Sequence, residues 1–361
     1  MVEHAALALP DKRTTWNSMH REFHMSLVAA SFQAPAESAA DPFCRFSQAP
    51  AHEPSADRGV LRCTLALRHA GLRDVAIRWE ISGPVHAPLL IVAGGISATR
   101  HVSANEVDTT HGWWQAQASF LRRHRVLAID WLCDGDGLDV PIDSADQADA
   151  IAAVLEALHL PKARAFVGAS YGAMVGLQFA ARHPDRLQAL VAISGAHRAH
   201  PWSSALRSVQ RKIVELGELQ CDDGQGLALA RQLAMLSYRT PKEFSERFNE
   251  PVAVEGERAV CPAESYLEAC GQRALTRFDA TAYRRLSESI DLHRVEPEAV
   301  RVPLSVIAID SDQLVPREDL AELSVRAPDA WLQVIASRYG HDAFLKETAA
   351  IAAALTAALD A

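Results

Sequence analysis

One pentapeptide constrains this chain more than any other stretch: Gly168-Ala169-Ser170-Tyr171-Gly172. The run before it, residues 163–167, is apolar like a buried strand, and residues 173–183 carry apolar side chains at helical spacing. A Gly-x-Ser-x-Gly sequence between a strand and a helix is typical of a nucleophile elbow, which lifts a serine hydroxyl clear of the sheet edge. The pentapeptide alone could be a Gly-rich turn with an incidental serine. In this setting we predict Ser170 to be a nucleophile.

The charge balance argues against nucleic acids and anionic membranes as partners. The chain of 361 residues has 36 Lys and Arg against 45 Asp and Glu, a formal net charge of −9, whereas nucleic-acid-binding surfaces are basic. No apolar run approaches the ~20 residues that span a bilayer. Residues 1–25 lack the apolar segment of a secretory signal. We therefore expect a cytoplasmic protein with no membrane partner.

Cysteine and histidine spacing gives no sign of a metal site. The six cysteines are scattered without a Cys-x-x-Cys pair, and His-Glu-x-x-His is absent although there are fifteen histidines. So few cysteines in a chain of this length are typical of a reduced intracellular protein. We expect neither a disulfide framework nor a metal nor a permanently bound cofactor.

Hydrophobic patterning predicts a doubly wound sheet. Residues 61–67 and 75–81 alternate on either side of a turn at 71–74, which indicates an antiparallel hairpin. Later runs are continuously apolar, like parallel strands covered on both faces, and amphipathic segments such as 145–158 lie between them. A two-stranded antiparallel edge followed by such a sheet, with an elbow after its third parallel strand, is the α/β-hydrolase architecture. The apolar runs are residues 89–93, 126–129, 164–167, 190–193, 304–309 and 332–335.

The same patterning divides the chain into three parts. Residues 1–60 have little periodicity and are predicted to form an irregular N-terminal arm. Residues 61–199 and 301–361 form the α/β-hydrolase core. Residues 200–300 read as helical throughout, and we expect a cap over the C-terminal edge of the sheet, where open α/β sheets bind ligands. Its predicted helices are residues 203–216, 226–238, 241–248, 261–276 and 281–293.

A serine nucleophile needs an imidazole to take its proton and a carboxylate to orient that imidazole. In this fold the chain order is serine, acid, histidine, with the last two just beyond the final strands. His341 follows a Gly turn after the last strand and is the predicted base; its alternative role is to cap a helix, for which Asp342 is better suited. Asp310 and Asp312 both follow the preceding strand. We favour Asp312 because Asp310 still belongs to the strand end and suits a structural turn.

An oxyanion hole should lie beside the elbow. One donor is expected from the backbone N–H of Tyr171, the residue after the nucleophile, and the other from the loop after the first parallel strand. That loop, residues 93–98, contains two glycines that allow close approach to a substrate, and Ile96 is the predicted second donor. The alternative is a plain turn.

Several further stretches resemble the homoserine O-acyltransferase family, a branch of the α/β-hydrolases that acylates homoserine with acetyl-CoA or succinyl-CoA in methionine biosynthesis. The likeness runs from about residue 61 to the C-terminus. It implies an acyl-CoA cosubstrate, a homodimer formed through the cap, and Ser170, Asp312 and His341 as the triad. The stretches are Gly112-Trp113-Trp114, Leu236-Ser237-Tyr238-Arg239, Arg277-Phe278-Asp279-Ala280-Thr281-Ala282-Tyr283, Ser311-Asp312-Gln313-Leu314-Val315-Pro316 and Tyr339-Gly340-His341-Asp342-Ala343-Phe344-Leu345.

The resemblance also implies a homoserine site. By this resemblance Arg231 binds the carboxylate of homoserine, Tyr238 lies beside that carboxylate, and Asp342 pairs with the amino group of homoserine. The chemistry agrees, because a zwitterion needs one cation and one anion and arginine offers a planar two-point clamp. Arg231 and Tyr238 are seven residues apart on a predicted helix and share a face. They could instead be a solvated helix residue and a core aromatic.

The identity of both substrates stays open at this point. Acetyl-CoA is the family's usual donor and succinyl-CoA a close second; a succinyl group would call for a cation near the acyl pocket, for which Arg100 and Arg198 are available. L-serine differs from homoserine by one methylene, worth only ~1–3 kcal/mol to a pocket. An esterase using the same residues with water, or a binding protein on an inactive scaffold, are the remaining alternatives.

Overall fold

The structure, a computed structural model, describes residues 55–220 and 223–360. The predicted arm therefore lies outside the described residues as far as residue 54. The strands are β1 (Ala56–Leu67), β2 (Gly71–Ser82), β3 (Leu89–Ala93), β4 (Arg125–Ile129), β5 (Ala165–Ala169), β6 (Leu190–Ile193), β7 (Ala253–Glu255), β8 (Arg258–Val260), β9 (Leu304–Ile309) and β10 (Ala330–Ile335). The helices are α1 (Ala118–Leu121), α2 (Ser144–Ala157), α3 (Tyr171–Arg182), α4 (Pro201–Leu219), α5 (Asp223–Tyr238), α6 (Pro241–Arg247), α7 (Glu264–Leu275), α8 (Ala280–Leu292), α9 (Arg317–Arg326), α10 (Ala343–Lys346) and α11 (Thr348–Asp360).

Within the described ranges one sheet of eight strands has the order β1-β2-β4-β3-β5-β6-β9-β10. The hairpin of β1 and β2 pairs antiparallel with the rest through β4, and all later pairs are parallel. The central strands β3, β5, β6 and β9 are buried along their whole length, as their continuous apolar runs predicted. The predicted α/β-hydrolase sheet is confirmed.

The two faces of the sheet are covered by different helices. Ile91 of β3 belongs to an apolar cluster that includes side chains of α2, α3 and α9. Its neighbour Leu90 points the other way, into a cluster formed with α1 and α11. This alternation along one strand places a core on each face. The loops at the carboxyl ends of the parallel strands are left free to carry a site.

Three sequence-based boundaries are corrected. Strand β1 begins at Ala56, so residues 56–60 belong to the hairpin and not to the arm. The hairpin turn lies at residues 68–70, because Gly71 already pairs with Leu67 in the ladder. The region 200–300 is not helical throughout, since β7 and β8 form a short exposed hairpin there.

Helices α4 to α8, called the cap helices or the cap, lie between β6 and β9 in the segment expected to cover the sheet edge. Local sequence favours the starts of three of them. Pro201 occupies the first turn of α4, Thr240 before α6 accepts the N–H of Glu243 at 3.1 Å, and Asp279 before α8 accepts that of Ala282 at 2.6 Å. Across the part of the chain that the structure describes, the search for a helix both long and apolar enough to cross a bilayer finds none.

Candidate active site

Ser170 lies at the sharp turn between β5 and α3. Its φ of 56° and ψ of −119° are unusual for a non-glycine residue, and such strain persists only where surrounding bonds hold it. The Ser170 N–H donates to the carbonyl oxygen of Ile193 at 2.8 Å. A Cβ on Gly168 would lie 2.3 Å from the carbonyl oxygen of Gly172, and one on Gly172 would lie 2.1 Å from that of Ala93. Both elbow glycines are therefore required by close backbone contact.

His341 connects the serine to an acid. Its Nε2 lies 2.7 Å from Ser170 Oγ, and its Nδ1 lies 2.7 Å from Asp312 Oδ2. The other carboxylate oxygen of Asp312 accepts the backbone N–H groups of Leu314 and Val315 at 2.9 and 3.1 Å. The structure thus brings together the serine, histidine and aspartate that the sequence singled out.

Asp310, the alternative acid, points elsewhere. It is exposed, and its Oδ1 accepts the backbone N–H of Ser337 at 2.9 Å. This is the turn-stabilising role that its place at the strand end indicated.

The imidazole of His341 is buried, yet its pKa is raised above the usual value of 6.5. Burial is the largest influence and by itself lowers the pKa, because a low-dielectric site disfavours the charged form. The charge and hydrogen bond of Asp312 act in the opposite direction and outweigh it. Asp342 adds to the increase, and Arg207 opposes it.

The loop after β3 lies against the elbow. Gly94 accepts the N–H of Gly172 at 2.8 Å and Gly95 accepts the indole N–H of Trp131 at 3.1 Å, so both carbonyl groups already have hydrogen-bond donors. Among the described residues, none accepts a hydrogen bond from the N–H of Ile96 or of Tyr171. Both residues line the same cavity as Ser170. Two unpaired donors beside a serine are what a developing oxyanion requires.

A cavity of about 280 Å³ separates the cap from the sheet edge. Ser170 and His341 line this cavity on the side of the sheet, and residues of α4, α5 and α8 line it on the side of the cap. Most of the wall is apolar, with Trp113, Met174, Leu206, Ile290, Leu314 and Phe344 among the lining residues. An apolar wall with a few polar groups is typical of a small-molecule site.

Arg231 enters this cavity from α5. Its Nη1 donates to the hydroxyl of Tyr238 at 3.2 Å, and its guanidinium lies 5.4, 5.8 and 5.9 Å from the ring centroids of Tyr238, Phe278 and Tyr283. No carboxylate of the described residues lies within ion-pair distance of it. The aromatic faces hold the cation in place without neutralising it. Arg231 and Tyr238 share a helix face, as predicted.

Asp342 also lines the cavity but already has a cation beside it. Its Oδ2 lies 3.0 Å from Arg239 Nε. Burial raises the pKa of Asp342, and the Arg239 charge opposes that rise. The side chain makes no capping hydrogen bond to α10, which it precedes. Its capping role is therefore not observed.

The two cations suggested for an acyl pocket are differently placed. Arg100 does not line the cavity; its Nη1 is paired with Asp130 at 2.7 Å. Arg198 does line it, but pairs with Glu322 at 2.8 Å and Asp319 at 3.3 Å. Arg207 of α4, which the sequence reasoning missed, lines the cavity as well. Its place on the predicted helix 203–216 did not distinguish it from Arg211 of the same helix.

No group of three or more His, Cys, Asp or Glu side chains suited to a metal ion is found within residues 55–220 and 223–360.

The fold and the serine site together define an α/β-hydrolase. The sequence model of the α/β-hydrolase fold family matches residues 87–348. The chain is 53% identical to the homoserine O-succinyltransferase of Xanthomonas campestris pathovar campestris over 312 residues, 85% of each chain.

Two other matches are more distant. The homoserine O-acetyltransferase of Clavibacter michiganensis subspecies michiganensis is 35% identical over 246 residues, 60% of this chain and 62% of that protein. The crystal structure of esterase E22 matches with a TM-score of 0.74 at 18% identity, covering 84% of this chain and all of the other, which bears on the fold alone. The chain belongs to the homoserine O-acyltransferase family of α/β-hydrolases, and it is an acyltransferase.

Proposed function

We propose that the protein transfers a succinyl group from succinyl-CoA to the hydroxyl of L-homoserine by a ping-pong reaction. The observation that carries the proposal is the 2.7 Å contact between Ser170 Oγ and His341 Nε2 in a cavity that also holds the unneutralised Arg231. A nucleophile and a carboxylate-binding cation in one apolar chamber suit acyl transfer to an amino acid.

The first half-reaction acylates Ser170. As Oγ bonds to the thioester carbonyl carbon, its proton passes to His341 Nε2, and Asp312 stabilises the imidazolium. The backbone N–H groups of Ile96 and Tyr171 donate to the oxyanion. The C–S bond then breaks, and the CoA thiolate takes the proton from Nε2. The products are CoA and an acyl ester on Ser170.

The second half-reaction passes the acyl group on. The homoserine hydroxyl gives its proton to His341 and attacks the ester carbonyl; the bond to Ser170 Oγ breaks, and Oγ recovers the proton. Water would hydrolyse the same ester, so the cap has a function in excluding it. Arg231 and Tyr238 bind the amino-acid carboxylate, and the Asp342 oxygens accept from the ammonium group.

The succinyl donor is supported by the 53% identity to a succinyltransferase, compared with 35% for the acetyltransferase. The family's usual donor gave acetyl-CoA a slight preference, and the identity to a succinyltransferase reverses that preference. CoA is thus a cosubstrate.

We also propose a cytoplasmic location for the protein. We further expect a homodimer formed through the cap, where four large apolar side chains are exposed: Leu216, Leu219, Leu229 and Leu236.

The test is thiol release from succinyl-CoA and acetyl-CoA, each with L-homoserine, with L-serine and with no acceptor. Release from succinyl-CoA that depends on homoserine is the expected result. Equal release without an acceptor would make the protein a thioesterase, and release from neither donor would refute acyl transfer. A faster rate with L-serine than with L-homoserine would change the identity of the acceptor and leave the proposed acyl transfer intact.

A further inference from the structure

We propose that Arg207, assisted by Gln210, binds the terminal carboxylate of a dicarboxylic acyl group, so that the cavity contains a second anion subsite apart from Arg231. The inference rests on the proposed acyl transfer and specifies what selects the donor.

One face of α4 supplies this subsite. Ser203, Leu206, Arg207 and Gln210 follow the i, i+3, i+4, i+7 spacing of a single helix face, and all four line the cavity. Trp202 and Val209, about a quarter of a turn away around the helix, are exposed. The direction of the Arg207 side chain is therefore set by the helix, and its charge lies close enough to His341 to oppose protonation of the imidazole.

The charges around Arg207 do not cancel. Its Nε and Nη2 lie 2.8 and 2.7 Å from Asp291 Oδ1, while Nη1 of Arg211 lies 2.7 Å from Asp291 Oδ2. Two guanidinium groups thus share one carboxylate. The Arg207 side chain is only 13% exposed, and a partly buried positive excess favours a bound anion.

Two donors remain for that anion. The Nη2 of Arg207 also donates to Ser204 Oγ at 3.2 Å, and Nη1 makes no hydrogen bond to any described residue. The Oε1 of Gln210 accepts from the hydroxyl of Tyr283 at 2.9 Å, which leaves its amide NH2 unpaired within the described part of the chain. A guanidinium N–H and an amide N–H on one helix face match the two oxygens of a carboxylate.

The other cations are less suited to this role. Arg198 contacts two carboxylates, Asp319 and Glu322, although Glu322 also pairs with Arg326. Arg100 lies outside the cavity. Arg231 is enclosed by aromatic rings and serves the amino-acid carboxylate in the proposed reaction. The phosphates of CoA are a second source of anionic oxygen, but they lie at the far end of the pantetheine arm from the thioester. We therefore assign Arg207 to the acyl group.

The test compares Arg207→Met with Arg211→Met. Arg211 is on the same helix and pairs with the same Asp291 but does not line the cavity, so it is a matched control. Arg207→Met should lower kcat/KM for succinyl-CoA by about 10²-fold, the usual cost of losing one partner of a charged contact. Its kcat/KM for acetyl-CoA should stay within about threefold of the unsubstituted protein. Arg211→Met should keep the original donor preference.

Other outcomes are equally decisive. Equal losses with both donors would assign Arg207 to CoA or to the fold, and unchanged succinyl transfer, or an unsubstituted protein that uses acetyl-CoA alone, would overturn the subsite. Should Arg207→Met not fold, Arg207→Lys keeps the charge without the planar fork and should lose succinyl preference only in part.

A binding measurement separates the subsite from the proposed reaction. In Ser170→Ala protein, succinyl-CoA should bind more tightly than butyryl-CoA, which carries a methyl group in place of the carboxylate. Arg207→Met should abolish the difference. Equal Kd values for the two thioesters would refute the subsite whether or not the enzyme transfers acyl groups.

Discussion

The guanidinium of Arg277 donates from Nε to the carbonyl oxygen of Ser97 at 2.8 Å, joining the cap to the loop beside the elbow. Its Nη2 donates to the Ala98 carbonyl at 3.1 Å, and Nη1 lies 3.0 Å from Asp134 Oδ1. Ser97 directly follows Ile96, whose N–H is a proposed oxyanion donor. Arg277 does not line the cavity. We therefore expect it to position that loop without touching the substrate.

Arg277→Met should lower kcat by about 10- to 10²-fold, since a shift of about 1 Å in a reacting geometry can cost that much. The KM for homoserine should change little, because the amino-acid site is untouched. Steady-state kinetics with Arg273→Met as control tests this, since Arg273 is exposed on α7. A loss confined to KM, or an equal loss in the control, would contradict the positioning role.

Asp312→Asn should lower kcat by about 10⁴-fold while the protein stays folded, as in other triads that lose the orienting carboxylate. The amide can still accept from the Leu314 N–H but cannot stabilise an imidazolium. Asp310→Asn is the matched control, because Asp310 contacts Ser337 and not His341. Comparable losses in the two variants would show that the acid was assigned wrongly.

The pH dependence of kcat/KM should follow His341. The reaction needs a neutral Nε2, so activity falls as the pH drops through the pKa of the imidazole, which is raised above 6.5. In Asp312→Asn burial acts without the opposing carboxylate, so the pKa should fall and the acid limb should move to lower pH. A pH profile of residual activity in both proteins measures the shift. Movement to higher pH in the variant would exclude His341 as the titrating base.

Arg231→Met should lower kcat/KM for homoserine by about 10²- to 10³-fold, because the substrate carboxylate loses its partner in a buried site. Hydrolysis of a small aryl ester at Ser170 should stay within about threefold, since that reaction needs no carboxylate clamp. Arg247 is a suitable control: it also stacks on aromatic rings of the cap, those of Phe248 and Tyr266, but outside the cavity. If Arg231→Met lowers ester hydrolysis as much as it lowers acyl transfer, Arg231 maintains the structure of the site and does not bind the amino-acid carboxylate.

Gly172→Ala should destabilise the protein by more than about 3 kcal/mol, the range seen when a backbone position cannot accept a side chain. The added Cβ would lie 2.1 Å from the Ala93 carbonyl oxygen. Gly71→Ala is the control: its φ of +69° costs about 1–2 kcal/mol, but nothing lies within 4 Å. Urea denaturation compares the two. Equal free energies of unfolding would show that the elbow can relax around a methyl group.

Parts of the site that follow the chain locally could be predicted. The elbow at Ser170, the Gly turn before His341 and the shared face of Arg231 and Tyr238 each depend on neighbouring residues, and the structure brings these side chains into one cavity. The β7–β8 hairpin was missed because its strands have three residues each and are exposed, so they carry no buried alternation.

Taken alone, the sequence determined the sheet, the helices between β6 and β9 and the turn that presents Ser170, because helical and strand periodicity and tight turns depend on residues that are close together in the chain. Tertiary structure decided which of two aspartates contacts His341. It also decided that Arg100 pairs with Asp130 outside the cavity, whereas Arg207 and Arg231 line the cavity. Those choices depend on side-chain direction and on pairing between residues far apart in the chain. Spacing along the sequence does not contain that information.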